Sequence, residues 1–324
     1  MSFSIEANLL TKAFFGSTKE IGSGIFSQTL PIPTIYTMAG ALFTQLIKKY
    51  AICAEEIQDM IRNEELQIYG VYLKYGDKYY IPLNYQLIDK VDQRLELKLG
   101  LKSINEAYGD TIQLALSKFY KFYDMGEKGV LYLLNLDNLT ERKVILVDDL
   151  REEERTRIGM DYPSRVAKEG ILFTTTYEDL GFKMKFCVDV VTKDRRIEKL
   201  DNWIGNLGGE GTLASFMINE KTHFVDKVKN NYRGYKGYIA VSHIPILLRN
   251  NIIISYFGEI DSIIGSIEPI GGWLLERKEQ KMKRIFPSIK PGSLFYTRSK
   301  EYMFETELWY LNLLKSAIPI DLLQ

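Results

Sequence analysis

The stretch Asn206 to Phe216, NLGGEGTLASF, carries three glycines in four positions, Gly208, Gly209 and Gly211. Gly209, Gly211 and Ala214 satisfy G-x-G-x-x-G/A, a pattern in which bare backbone lets N–H groups approach a phosphate. It holds a dinucleotide only when a strand precedes the glycines and a helix follows, because the pyrophosphate rests on that helix's N-terminus. Here the spacing predicts the reverse. Ile197, Leu200, Ile204 and Leu207 share one face of a helix over Asp194 to Leu207, and the residues after the glycines read as a strand. Glu210 adds a negative charge where phosphate would approach. Two uses then stand side by side. Gly208 caps the helix in left-handed conformation while Gly209 and Gly211 turn into the next strand, or the loop lays its amides against an RNA backbone.

Other groups are weaker. Asp226 to Tyr238, DKVKNNYRGYKGY, interleaves lysine and arginine with tyrosines, which suits single-stranded RNA and equally a solvated loop. Lys281, Lys283 and Arg284 form a smaller basic cluster. Asp148 and Asp149 end an apolar strand like those of nucleotide hydrolases, but no G-x-x-x-x-G-K-[ST] loop exists to cradle the phosphates. Tyr108-Gly109-Asp110 lies near a predicted helix start, where Asp110 or Thr111 would cap. The only histidines, His223 and His243, show no evident acid/base partner. The only cysteines, Cys53 and Cys187, have neither disulfide nor zinc spacing. The reading is therefore no catalytic residue, no metal and no cofactor.

The chain has 324 residues, 46% hydrophobic, and at roughly 100 to 200 residues per domain it predicts two units, 1–150 and 151–324. Lys plus Arg total 42 and Asp plus Glu total 42, so no global field draws the molecule to a polyanion, and any such site is local. The start MSFSIEANLL lacks a secretory pattern, and no run of about 18 apolar residues appears, which predicts a cytoplasmic protein with no membrane span. Pro33 and Thr34 start a helix on which Met38, Ala41, Leu42, Phe43, Leu46 and Ile47 recur before Lys48 and Lys49. Tyr69 to Pro82 predicts a hairpin turning at Gly76-Asp77, and a second helical region falls around Ile112 to Tyr123. Short strands follow at Val130 to Leu136 and Val144 to Val147, and Asp148 to Arg157 reads as a charged connection. Both halves mix strands with a helix or two, so the expected class is α+β, two ferredoxin-like (RRM-like) β-α-β-β-α-β units packed together.

At this point the sequence resembles the RAMP superfamily of CRISPR proteins, and within it the family of subunit three of the type III-B (Cmr) effector complex. Thr37-Met38-Ala39-Gly40-Ala41-Leu42 after Pro33-Thr34 is similar to that family's Thr-Leu-Ala-Gly-Ala-Leu helix, with Phe43 where Arg is common. Arg157-Ile158-Gly159, Arg165 and Glu169 to Phe173 resemble its Arg-x-Gly pattern and the strand after it. Leu207 to Gly211 matches its Leu-Gly-Gly-Glu-Gly loop, and Gly271-Gly272-Trp273 and Lys290 to Tyr296 resemble its closing motifs. These matches run in order over most of the chain.

The resemblance implies a non-catalytic subunit that grips the 5′ handle of the CRISPR RNA, packs against a large polymerase-like subunit and caps the filament of backbone RAMP subunits. On it rest the candidate RNA-binding residues. Gly208, Gly209 and Gly211 give close backbone approach, Arg157 and Arg165 meet phosphate or base edges, Thr37 and Gly40 shape the neighbouring helix, and Lys48 adds a cation. Two other readings stay open, the handle-binding subunit of a type III-A complex and a RAMP endoribonuclease that processes precursor RNA through His223 or His243.

Overall fold

The computed structural model describes residues 1–13, 15, 26–27, 31–91, 94–97, 130–147, 151–161, 166–179, 184–208, 211–228, 237–249, 252–270, 273–275, 280–282, 286–297 and 309–323. The start signals at Pro33-Thr34 hold. Helix α1 spans Ile35–Tyr50, and the Thr34 side chain accepts from the Thr37 N–H at 3.3 Å. Its apolar face buries Ile35, Met38, Ala39, Ala41, Leu42 and Leu46. Helix α2, Ala54–Arg62, follows, with Cys53 Sγ accepting from the Glu56 N–H.

Both helices pack on one face of a ten-stranded sheet. Its strands run in the order Trp203–Asn206, Leu213–Asn219, Ser2–Leu9, Met184–Thr192, Leu66–Tyr75, Lys78–Leu83, Leu131–Asn135, Lys143–Val147, Arg94–Leu97 and Ile88–Val91, all antiparallel to their neighbours. Alternation decides the faces. Phe3, Ile5 and Ala7 point into the helix-side core, whereas Ser4, Glu6 and Asn8 occupy the other side. A second core on that other side joins Tyr72, Ile81, Leu134, Phe224 and Val241 to Ile239, Leu294 and Ile318 of a six-stranded antiparallel sheet. That sheet orders Leu247–Arg249, Ile252–Ser255, Gly258–Ile264, Leu294–Thr297, Gly237–Ala240 and Ala317–Pro319. The fold is α+β, mostly antiparallel, with few helices.

Several expectations change. The ten-stranded sheet takes strands from both sides of residue 150, with Ser2–Leu9 seated between Leu213–Asn219 and Met184–Thr192. The helix expected over Asp194 to Leu207 does not form. Ile197–Lys199 makes one 3-10 turn, and Trp203–Asn206 pairs instead as a strand along Leu213–Asn219. Asp194 starts the turn by accepting from the Arg196 N–H at 2.7 Å, and Trp203 stacks on Phe216 with ring centroids 4.5 Å apart. Cross-strand pairing has overridden helical spacing, because Trp and Ile suit a pleated surface better than a helix. The charged connection is likewise a strand from Arg151 to Asp161, paired with Val166–Asp179, since backbone pairing does not require apolar side chains. The hairpin turning at Gly76-Asp77 is present between Leu66–Tyr75 and Lys78–Leu83. The helical region around Ile112 to Tyr123, the Tyr108-Gly109-Asp110 motif and Asp148-Asp149 lie outside the described residues.

Candidate nucleic-acid interface

The glycine loop joins two antiparallel strands, Trp203–Asn206 and Leu213–Asn219. No helix stands directly before or after it, which removes both the dinucleotide fingerprint and the helix C-cap. Its base is tied down: the Leu207 N–H donates to Thr212 O at 2.9 Å, the Leu213 N–H to Thr11 Oγ1 at 2.9 Å and the Leu10 N–H to Leu213 O at 2.9 Å. Leu207 and Thr212 are buried, while Gly208 and Gly211 are exposed. Gly208 has φ +91° and Gly211 φ +74°, values that favour glycine. A Cβ on Gly211 would meet nothing within 4 Å, so packing does not demand the glycine there. A fixed base under an open, bare-backbone tip suits close approach of a phosphodiester chain.

Helix α1 lies against the first of these strands. Tyr50 OH donates to Lys199 O at 2.6 Å, and Lys49 pairs with Asp201. Three candidates, Thr37, Gly40 and Lys48, fall with Thr44 on one stripe of α1 at spacings of three and four, and Gly40, Thr44 and Lys48 are exposed. Thr37 Oγ1 lies 3.1 Å from Thr34 Oγ1, so it supports the helix start. A Cβ on Gly40 would meet nothing within 4 Å, which leaves a shallow gap in the stripe. Arg157 stands in the strand Arg151–Asp161 opposite Phe173, in a separate three-stranded sheet, and its side chain lies outside the described residues. Gly209, Arg165 and most of the lysine- and tyrosine-rich run are outside them too.

The comparisons bear on this arrangement of a glycine hairpin beside α1. Residues 12–241 match the family model described as CRISPR-associated protein (Cas_Cmr3), a span that takes in α1, Arg157, Arg165 and the hairpin. The chain belongs to the Cas_Cmr3 family, subunit three of the type III-B (Cmr) CRISPR effector complex. A chain in the cryo-EM structure of the Type III-B Cmr-beta bound to cognate target RNA and AMPPnP is similar at 20% identity and TM-score 0.52, covering 90% of this chain and 86% of that one. A chain in the structure of the Type III-B Cmr-beta bound to cognate target RNA matches at 19% and TM-score 0.53, with the same coverage. At such identities the likeness is one of fold. No curated protein matches the sequence.

Sequence reasoning missed a polar cluster in this Cas_Cmr3 member, on the sheet face turned away from α1. Glu6 is 2% exposed and accepts from Lys74 Nζ at 2.8 Å, Lys185 Nζ at 3.1 Å and Tyr79 OH at 2.9 Å. Burial pushes its carboxyl up, but the bonds from Lys74, Lys185 and Tyr79 outweigh that and hold it below the ordinary value. Beside it the His223 ring stacks on Tyr79 with centroids 3.6 Å apart, and burial, then Lys221, pushes its pKa down. His243 Nε2 lies 2.5 Å from Glu268 Oε1. Both histidines thus have structural partners. The period-two pattern of Ser2–Leu9 was the available signal, since it puts Glu6 on the face of Ser4 and Asn8.

The lowered pKa of Glu6 predicts acid lability. Its contribution to stability is complete above the unfolded value of 4.5 and is lost as pH falls through the lower folded value. Replacing Glu6 by Gln is expected to flatten the fall of the urea midpoint between about pH 5 and pH 3. A variant whose midpoint falls as steeply as the native chain's would contradict this.

Among the described residues no helix is long and apolar enough to cross a membrane, and no group of three or more His, Cys, Asp or Glu is placed to hold a metal ion.

Proposed function

We propose that this chain is a non-catalytic RNA-binding subunit of a type III-B effector complex. It grips the fixed 5′ handle of the CRISPR RNA, contacts the large polymerase-like subunit and caps the filament of backbone RAMP subunits in a cytoplasmic ribonucleoprotein. The observation that carries the reading is the hairpin: two exposed left-handed glycines on a buried, hydrogen-bonded base, with the Thr37, Gly40 and Lys48 stripe on the adjoining helix. Arg157 and Arg165 supply cations to the same RNA in this proposal. The neutral net charge fits a protein that buries broad surfaces against other subunits and keeps a few donors for one RNA segment.

The same reading takes the chain as two ferredoxin-like units. The support is strand order. Counting only Ser2–Leu9, Leu66–Tyr75, Met184–Thr192 and Leu213–Asn219, the sheet runs fourth, first, third, second; the second sheet repeats that order with Gly237–Ala240, Gly258–Ile264, Leu294–Thr297 and Ala317–Pro319. The units then divide near residue 230 rather than 150, and the described strands from Lys78–Leu83 to Val166–Asp179 are additions between the second and third strands of the first.

Asp and Asn both tolerate left-handed backbone, so they separate charge from strain at the hairpin. Gly208→Asp with Gly211→Asp is expected to lower the guide RNA recovered with the tagged chain at least about tenfold, because the carboxylates repel phosphate, while the paired Asn variant retains most of it. Equal RNA content in the Asp variant and the native chain would remove the proposal. Sequencing the recovered RNA should find one shared 5′ sequence. Cleavage of a repeat RNA by the pure chain, lost on His223 or His243 replacement, would instead favour an endoribonuclease.

A further inference from the structure

The two edges of the ten-stranded sheet differ. One edge strand, Ile88–Val91 (IDKV), carries Asp89 and Lys90, the kind of charged residues that discourage pairing with another chain. The other, Trp203–Asn206 (WIGN), has no charge, no proline and no bulge against its neighbour. Ile204 at its centre is 69% exposed. Across the ladder Ile204 faces Ser215, so Leu213 and Met217, each 39% exposed, are its diagonal neighbours on the same face. Leu10, 44% exposed, adjoins Leu213 through its N–H bond to Leu213 O.

The backbone points the same way. The Leu207 N–H donates to Thr212 O, which makes Leu207 and Thr212 a hydrogen-bonded pair in the antiparallel ladder. Bonded and non-bonded pairs alternate, so Gly205 and Trp203 bond inward, while Ile204 and Asn206 direct N–H and C=O away from the sheet. Among the described residues no strand takes up those groups. An uncharged edge, outward donors and acceptors, and an apolar patch meet at one residue, Ile204.

We propose that Trp203–Asn206 is an interaction edge that receives an extended strand from another protein subunit of the complex, with the incoming apolar side chains covering Ile204, Leu213 and Met217. The outward N–H and C=O groups specify a polypeptide strand rather than RNA, and the side chains beside them specify an alternating apolar sequence. The docked strand would brace the hairpin directly before Gly208. The proposal rests on membership of the effector complex and is independent of which RNA segment the glycines meet.

Amide hydrogen exchange over residues 203–207 tests it, comparing the free chain with the complex purified through a tag on this chain. Protection in the complex is expected to rise at least about tenfold. A photo-reactive residue at Ile204 should cross-link to another subunit. Ile204→Pro deletes one outward donor at a position where edge strands tolerate proline, and should release that subunit while the free chain keeps its urea midpoint. Ile204→Lys, which alters only the side chain, serves if the proline variant fails to fold. Unchanged exchange in the complex, protection produced by guide RNA alone, or a cross-link to a second copy of this chain would each overturn the proposal. RNA content unchanged in the Gly208→Asp, Gly211→Asp variant with protection over residues 203–207 kept would count against handle binding and for this edge.

Discussion

Replacing Gly292 by alanine is expected to cost the fold about 3 kcal/mol, against about 1 kcal/mol for the same change at Gly76. Both glycines have left-handed φ, +85° at Gly292 and +60° at Gly76, so both substitutions carry the backbone penalty. The surroundings separate them. A Cβ on Gly76 meets nothing within 4 Å, whereas one on Gly292 would lie 2.9 Å from Asn84 N, Leu83 C and Leu83 Cα, backbone atoms that cannot swing aside. Gly292 also joins the two sheets. The Asn84 N–H donates to its carbonyl at 3.0 Å, at the end of Lys78–Leu83 in the large sheet, and its own N–H donates to Ala240 O at 2.7 Å in the second. Pushing the turn outward breaks both bonds. Urea denaturation of the two variants, side by side, reads the difference; equal losses would mean that the sheets do not depend on this contact.

Asp189→Ala is expected to cost about 3–4 kcal/mol. Asp189 is fully buried, with Oδ1 accepting from Tyr72 OH at 2.6 Å and Oδ2 from the N–H groups of His223, Phe224 and Val225 at 3.1, 2.7 and 2.8 Å. Burial holds its pKa above the ordinary carboxylate value, and the bonds from Tyr72 and the three amides offset only part of that rise. Burial also holds the Tyr72 phenol well above its ordinary value, so it stays a donor. Alanine would leave four donors without an acceptor in a closed site. It would also release the residues that set His223 on Tyr79. Asn, which keeps one acceptor oxygen, should lie between alanine and the native chain. A loss below about 1 kcal/mol for alanine would mean that water replaces the carboxylate.

Much of the candidate site was legible because its signals are local. Thr34 caps α1 through its own hydroxyl, Gly76-Asp77 turns a hairpin between aromatic strands, and Gly208 and Gly211 occupy left-handed backbone whichever element precedes them. The ordered motifs named the family that residues 12–241 match. What failed was local spacing without its neighbours. Ile197, Leu200, Ile204 and Leu207 fit a helix in isolation, yet Leu213–Asn219 offers Trp203–Asn206 a ladder that four residues of helix cannot equal.

The sequence by itself thus determined the Gly76-Asp77 turn, the Thr34 cap and the first helix, since each depends on residues within a few positions of one another, and it named the family through short motifs kept in order along the chain. Tertiary structure decided that the glycine loop is a hairpin tip, that Ser2–Leu9 joins strands some 180 to 210 residues away, and that Glu6 and Asp189 are buried with their donors. Partners so distant are brought together only when the sheet closes. Burial and exposure, which turn Asp189 into an anchor and Ile204 into an open edge, are properties of the assembled surface and are written in no short stretch of chain.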